Sequence, residues 1–337
     1  MIAQKYKKNA KLLAASVLNK TGVVRKYLKK HSVLILMYHR VNECHDFLGL
    51  TVNKSLFCSQ LECLVENFEV ISLDESVARI LNNSVDRNYC VITFDDGYRD
   101  NYEVVAPILE MYKIPATIFV TYDAIELGQF GWKAFDDAIL NSKEDYLDLR
   151  HFGFERIDLK NCLAREKVVV DLHRILKQQS HCLKNEIVDY VLSQNNSMYC
   201  DERFMLNWDE VYKLSQNDLF TIGAHTITHP ILSKVSETQA IREIVECKVL
   251  LENKIKNSVN YFAYPNGGFD DYNANVISIV KNAGYRAACT TVSGNNIVAD
   301  DLFELKRVDV TPYMSTDSRG AFNSEFFLFS LSQIFNR

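Results

Sequence analysis

Tyr89-Cys90-Val91-Ile92-Thr93-Phe94-Asp95-Asp96-Gly97-Tyr98 is the stretch whose reading decides the fold. A short continuous apolar run predicts a strand buried on both faces, as in a parallel sheet. The helical stretch 100–112 follows, then a second run, Ala116-Thr117-Ile118-Phe119-Val120, with Pro115 marking the turn. This is a strand–helix–strand unit, and it sets the expectation for the rest of the chain.

The same alternation extends in both directions. Upstream, Val33–Tyr38 reads as a buried strand ending in His39-Arg40. Leu56–Phe68 reads as helix, Glu69–Leu73 as strand, and Leu73–Leu81 as helix with Asp74 as a possible cap. Downstream come helix Trp208–Gln216 and strand Leu219–Ala224, which ends in His225. Ser236–Ile255 reads as one long amphipathic helix with Glu237, Glu243, Glu246 and Glu252 outward. Asn260–Tyr264 is a strand leading into Pro265-Asn266-Gly267-Gly268, followed by helix 272–283 and strand candidates Tyr285–Thr290 and Leu305–Val310. Roughly seven strand-like runs alternating with helices predict a parallel sheet in a closed or nearly closed α/β barrel. Residues 123–205 differ: they are rich in charge and helical in periodicity, and no strand is obvious, so they read as a mainly helical insertion. The expected organisation is a basic helical segment at 1–30, a catalytic domain at 31–320 that contains the insertion, and a C-terminal helix at 321–337.

The 337 residues are 47% hydrophobic and 24% charged, ordinary values for a globular chain. A net charge of -5 gives no reason to expect nucleic-acid binding. Residues 1–30 nevertheless carry Lys5, Lys7, Lys8, Lys11, Lys20, Arg25, Lys26, Lys29 and Lys30 and no acidic residue. A basic segment with Leu12, Leu13, Val17 and Leu18 at helical spacing predicts either a helix packed on the body or one lying on anionic lipid. Nine cysteines with no CxxC pair, several of them inside apolar runs, predict buried reduced thiols. No signal sequence is evident, and no run approaches the roughly 18–20 apolar residues that span a bilayer. The expected location is cytoplasmic, at the inner membrane face.

Strand ends at His39, Asp95-Asp96, His225 and Tyr264-Pro265 would converge on one rim of a barrel, where such folds gather their chemistry. An adjacent carboxylate pair raises one pKa unless a metal sits on one member and leaves the other free as a base. It can equally be a pair at a helix N-terminus. His225 and His229 have metal-ligand spacing, and Pro230 places them on a loop. Two histidines and one carboxylate form a common ligand set for a catalytic metal with open positions.

Thr93-Phe94-Asp95-Asp96-Gly97-Tyr98 together with Gly223-Ala224-His225-Thr226-Ile227-Thr228-His229-Pro230 resembles the polysaccharide deacetylase family (the NodB homology domain, carbohydrate esterase family four). Leu206-Asn207-Trp208-Asp209-Glu210-Val211 and Phe262-Ala263-Tyr264-Pro265-Asn266-Gly267 resemble further stretches of that family, in the same order. The resemblance implies a distorted (β/α) barrel of about seven strands and hydrolysis of N-acetyl groups on a glycan. By position, Asp95 would be the general base, and Asp96, His225 and His229 would hold a divalent metal, zinc first. A backbone N–H near Tyr264 and Pro265 would help hold the oxyanion. Two departures stand out. The family's third motif usually carries an arginine that orients the base; here Phe262 or its neighbour takes its place, and Arg307 is the possible substitute. The family's last motif supplies an acid histidine, yet no histidine follows His229. Leu36-Met37-Tyr38-His39-Arg40-Val41 resembles the opening strand of circularly permuted members, where this histidine is the acid.

The expected partner is an N-acetylated glycan, with peripheral membrane contact through residues 1–30. The alternatives are an amidohydrolase of the same fold acting on a non-sugar or cyclic amide, and an inactive glycan-binding protein. A metalloprotease is disfavoured, because Thr226 stands where an HExxH helix needs its glutamate.

Overall fold

Seven of the apolar runs form parallel strands in the computed structural model, which describes residues 2–28, 31–43, 47–129, 131–179, 181–194 and 203–334. They are β1 (Val33–Tyr38), β2 (Tyr89–Phe94), β3 (Ala116–Val120), β4 (Phe220–Ala224), β5 (Tyr261–Ala263), β6 (Ala287–Cys289) and β7 (Val308–Asp309). The order across the sheet is β6-β5-β4-β3-β2-β1-β7, and Glu69–Val70 pairs in parallel with the start of β2. Leu305, just before β7, pairs in parallel with Cys289 of β6, so residues 305–309 join the two edges of the sheet. The result is a distorted (β/α) barrel. Its thinnest seam lies between β4 and β5, where Phe262 and Ala224 are the one pair in register.

Alternate side chains on these strands enter two different cores. Leu34, Leu36, Cys90, Ile92, Phe94, Ile118 and Ile222 face outward and pack under the helices. Val33, Ile35, Tyr89, Val91, Phe119, Tyr261, Ala263, Ala287, Cys289 and Leu305 fill the interior. Ile71, Leu73, Val77 and Ile80 join that interior cluster, so helix Leu73–Leu81 plugs the end where the strands begin. Its cap is Ser72, whose hydroxyl accepts from Glu75 N, and not Asp74. Asp74 instead accepts from the Tyr261 hydroxyl and pairs with Arg286. Gly223 is required by this packing: a Cβ there would lie 2.3 Å from the Phe119 ring that fills the barrel.

The insertion has a core of its own, built from residues that include Phe135, Ile139, Leu147, Val169, Leu172, Leu176, Ile187 and Val191. Helices Gly131–Leu140, Cys162–Gln178 and His181–Gln194 supply most of it, in keeping with a helical reading. A small antiparallel ribbon, Tyr146–Asp148 with Arg156–Asp158, was not visible in the sequence. Phe47 and Leu48, from the loop that follows His39, pack on this core. Residues 195–202 of the insertion lie outside the described residues.

Helix Ile2–Lys20 turns Ala15 inward, with Leu12 and Leu18 partly buried, and packs against helix Ser324–Leu331. Asn19 donates to the Glu325 carbonyl across that contact. Leu13 and Val17 are exposed. Lys29, Lys30 and residues 335–337 lie outside the described residues, as do the side chains of Lys5 and Lys7. Among the described cysteines, Cys63, Cys90, Cys247 and Cys289 are buried thiols as expected, Cys58 is half-buried, and Cys162 and Cys182 are exposed; Cys44 and Cys200 lie outside the description. No helix among the described residues is long and apolar enough to cross a membrane.

Candidate active site

Strand register builds the site. Val33, Ile35 and Met37 of β1 lie opposite Tyr89, Val91 and Thr93 of β2, and Met37 lies opposite Asp309 of β7. With side chains alternating, His39, Asp95, Arg307 and Asp309 therefore share the interior side and stand above the apolar filling, at the open end. Phe119 forms the floor. The Arg307 guanidinium lies 5.6 Å from its ring centroid, within cation–π range. Asp95 sits on Arg307.

Arg307 is fully buried and has a partner for each face of its fork. Its Nη1 and Nη2 each donate to an Asp95 carboxylate oxygen at 2.7 Å, Nε donates to the Thr290 carbonyl, and Nη1 also reaches Thr93 Oγ1. Thr93 is held in turn by its bond to the Leu36 carbonyl. Burial alone would raise the Asp95 carboxyl, but the Arg307 guanidinium, aided by His225 and His39, outweighs it and holds Asp95 below the usual carboxylate range. Asp95 is thus an ionised, oriented carboxylate at neutral pH.

Asp96 turns the other way because its backbone is left-handed, at φ +74°, followed by Gly97 at φ +83°. That conformation costs a non-glycine residue about 1–2 kcal/mol. A Cβ on Gly97 would also press on Ile125 and Val120 at 3.0 Å. Thr226 and His229 are left-handed as well. This backbone strain is concentrated where the ligating atoms converge. Asp96 Oδ1 lies 3.6 Å from His225 Nε2 and 3.6 Å from His229 Nε2. All three ligand atoms fall within 4.8 Å of one another. Metal–ligand bonds of about 2.0–2.1 Å at tetrahedral angles require ligand separations of roughly 3.3–3.5 Å, so both separations from Asp96 fit a metal nearly as they stand. His225 Nδ1 lies 2.8 Å from the Ala263 carbonyl, which fixes the proton there and leaves Nε2 as the donor. Burial, then His225 and the ammonium groups of Lys184 and Lys177, hold the His229 imidazole well below the ordinary histidine range, as a neutral ligand requires. Burial pushes the Asp96 carboxyl up, against the pull of His39 and His225; a cation among the three would reverse that.

Three supporting residues, Glu243, Asp100 and Asn101, had been given no part in the site from the sequence. Glu243, expected on the outside of its helix, is buried: its carboxylate accepts from Ile227 N, Thr228 N and the Thr228 hydroxyl, tying down the loop that carries His225 and His229. It lies in a π-helical turn, Arg242–Glu246, between helices Glu237–Ile241 and Cys247–Ile255. With Ala240, Ile244, Cys247 and Leu251 it falls on the buried face that helical spacing sets out. A second π turn, Asn101–Val105, follows the Asp pair. Asp100 accepts from Arg40 Nε, Val41 N and Asn42 Nδ2, and Asn101 donates to the His39 carbonyl. The acidic motif thereby grips the loop of His39 from below.

One expectation is corrected. The Tyr264 N–H donates to the Cys289 carbonyl within the sheet, and its hydroxyl donates to the Phe303 carbonyl. Pro265 has no N–H. Neither residue is therefore an oxyanion donor, although Tyr264, stacked on Tyr272, supports the loop.

With this geometry established, comparison with known proteins becomes informative. The profile of the polysaccharide deacetylase family matches residues 82–143 and 174–288. The gap between the two matches falls inside the insertion. A Bacillus subtilis protein, YxkH, named for the same family, is 23% identical over 290 residues, covering 86% of this chain and 75% of its own length. The poly-beta-1,6-N-acetyl-D-glucosamine N-deacetylase of Staphylococcus aureus is 23% identical over 309 residues, covering 83% and 84%. Among solved structures, the Streptococcus pyogenes deacetylase PplD superposes with a TM-score of 0.58 at 20% identity, over 86% of this chain and 96% of that one. IcaB from Ammonifex degensii superposes with a TM-score of 0.56 at 17% identity, over 83% and 92%. The superpositions show the shared barrel, and the profile spans more than half of the residues: the chain belongs to the polysaccharide deacetylase family and is a hydrolase of the carbohydrate N-deacetylase class.

Proposed function

We propose that the enzyme removes N-acetyl groups from a glycan, releasing acetate and leaving a free amino sugar. The observation that carries this reading is the division of labour between neighbours: Asp95 is clamped and ionised by Arg307, while Asp96 turns away to join His225 and His229. Asp96, His225 and His229 hold a divalent cation, with zinc the best match to a two-nitrogen, one-oxygen set. Such a cation supplies Lewis acidity at the acetamide carbonyl and lowers the pKa of water. Asp95 takes the proton of the attacking water, and Arg307 keeps it oriented. His39 gives a proton to the departing sugar nitrogen; its place beside Asp95 and Asp309 at the open end, held by Asn101, supports that role. The activity for which the Staphylococcus aureus relatives are named makes a β-1,6-linked N-acetylglucosamine polymer the first substrate to try.

The test is acetate release from N-acetylated glycans and small amides with metal added or stripped, for wild type, Asp95→Asn and His39→Ala. Metal-dependent release from a glycan, lost in Asp95→Asn and reduced about 10²-fold or more in His39→Ala, supports both roles. Full activity in His39→Ala removes the acid assignment. Release from non-sugar amides alone favours the amidohydrolase, and metal binding without any release favours a glycan-binding protein.

We also place the enzyme in the cytoplasm at the inner membrane face, with residues 1–30 against anionic lipid. Exposed Leu13 and Val17, flanked by exposed Lys11 and Lys20, support this. Flotation with vesicles containing phosphatidylserine checks it; failure to float at low salt removes it.

A further inference from the structure

The loop that follows β5 carries a side chain that the reaction above does not use. Phe269 is 79% exposed, the highest value for a large apolar side chain among the described residues. It stacks on no other ring there and belongs to none of the apolar cores. Other strongly exposed apolar side chains, such as Met111 and Leu163, lie on helices, where scattered exposure needs no explanation. Phe269 lies instead on a loop at the open end of the barrel.

Hydrogen bonds fasten that loop beside the metal triad. Where it leaves β5, the Ala263 carbonyl lies 2.8 Å from His225 Nδ1. Just past Phe269, the loop meets Ser233, in the turn that follows His229 and Pro230. Ser233 donates its N–H to the Asp271 carbonyl at 3.0 Å and its hydroxyl to the Asp270 carbonyl at 2.6 Å. Between these anchors the chain reverses through Asn266 and Gly267, left-handed at φ +60° and +63°. Thr291 grips the reversal, its N–H donating to the Gly267 carbonyl and its hydroxyl to the Asn266 carbonyl. The Gly268 N–H donates to Asp271 Oδ2 at 2.9 Å, and Tyr264 and Tyr272 stack 4.5 Å apart across the base of the loop. The backbone on both sides of Phe269 is therefore held, while its ring is left uncovered.

An apolar ring held in water gains when something covers it. A platform that is already fixed loses little freedom when that happens. Phenylalanine offers a flat apolar face and no hydrogen bond of its own. The axial C–H groups of a β-linked pyranose present a flat apolar face to match, with the hydroxyls directed outward around the ring. An acetamide held at the triad belongs to one sugar, and a ring on the adjoining loop meets the next sugar of the chain. We propose that Phe269 is a stacking platform for a pyranose neighbouring the N-acetylated one, so that the substrate is a β-linked oligomer or polymer and not a lone sugar. This rests on the deacetylase reading above.

The experiment compares the zinc-loaded full chain on β-linked N-acetylglucosamine oligomers of one, two and four sugars. The variants are Phe269→Ala, Phe269→Leu, Phe269→Tyr and, as a control on an outer helix, Met111→Ala. Wild type is expected to favour the tetramer over the monomer by roughly tenfold or more in kcat/KM. Phe269→Ala should lose roughly tenfold on the tetramer and stay within about twofold on the monomer. Phe269→Leu, apolar but not flat, should fall with it; Phe269→Tyr and Met111→Ala should keep the preference. Zinc affinity, measured by competition with a chelator, should be the same in all of them. A tetramer rate unchanged in Phe269→Ala, an equal loss on every length, or a loss that follows zinc affinity overturns the platform. So does a Phe269→Ala variant that no longer floats with phosphatidylserine vesicles while its tetramer kinetics are unchanged, which makes the ring a lipid contact. Calorimetry with the tetramer separates the two readings. If no oligomer is deacetylated but wild type binds the tetramer about tenfold more tightly than Phe269→Ala, the deacetylase reading fails and the platform stands. Deacetylation with equal tetramer affinity and rate in the two proteins overturns the platform alone.

Discussion

In the barrel, charge is buried and matched; on the helices of the insertion, it stands nearer the surface. Asp95 and Arg307 are both almost fully enclosed and satisfy each other through two parallel hydrogen bonds. Lys177 is exposed and Lys184 half-buried, on helices that pack over a separate apolar core with a short ribbon. The pair inside is fixed by strand register, and in the proposed reaction Asp95 acts as base while Arg307 orients it. The charges outside ride on elements whose placement depends on side-chain packing. The two regions are thus assembled by different rules.

Breaking the buried pair should have the largest effect. Arg307→Met leaves the Asp95 carboxylate without its counter-charge in an enclosed place, a change that destabilises by about 3–5 kcal/mol. We expect kcat/KM to fall by roughly 10²–10³-fold, within the range for general-base loss. The acid limb of the pH–rate profile should move to higher pH, because burial raises Asp95 once Arg307 no longer opposes it. A profile that does not move would mean that Arg307 is structural only, and urea unfolding separates that case from simple instability.

The insertion should respond on its own. Leu172→Ala opens a cavity in its core and is expected to cost about 2–5 kcal/mol. Hydrogen exchange should rise through 131–194 while β1 to β3 stay protected. Loss of protection in both regions together would show that the two cores unfold as one. A smaller effect is expected from Glu243→Gln, which weakens the grip on the backbone between His225 and His229: metal affinity, measured by competition with a chelator, should drop by about tenfold. An unchanged affinity would assign that grip to folding alone.

The smallest effect is the acid dependence of stability. The folded Asp95 pKa is depressed, so its contribution is present above the unfolded value, about 3.9, and is lost as pH falls through the folded one. Wild type should therefore lose urea resistance below about pH 4 more steeply than Asp95→Asn. Parallel curves would mean that other carboxylates dominate.

The same contrast explains what could be read from the sequence. Buried strands announce themselves as apolar runs, and Asp95, Asp96, His225 and His229 each stand where such a run stops, so the barrel and its chemistry were legible together. Arg307 could be named but not placed, because its partner lies 212 residues away and only the closed sheet brings them together. Glu243 was misread because its charge suggested solvent, although its spacing from Ala240, Cys247 and Leu251 puts it on the buried face. Tyr264 was given a backbone role that its pairing with Cys289 already uses. The ribbon at Tyr146–Asp148 and Arg156–Asp158 escaped notice because three-residue strands rich in charge have no apolar run to mark them.

Residues 305–309 close the ring, and the residue that arms the base sits in the middle of that closing segment. Completion of the architecture and onset of reactivity are therefore one event. During synthesis, Asp95, Asp96, His225 and His229 all leave the ribosome before Arg307 does, and until it arrives Asp95 lacks the guanidinium that does most to hold it ionised. A partly made chain can gather a metal, but it holds no poised base. A chain that lacks residues 305–309 keeps all three residues of the metal-ligand triad but has lost the guanidinium that pairs with Asp95.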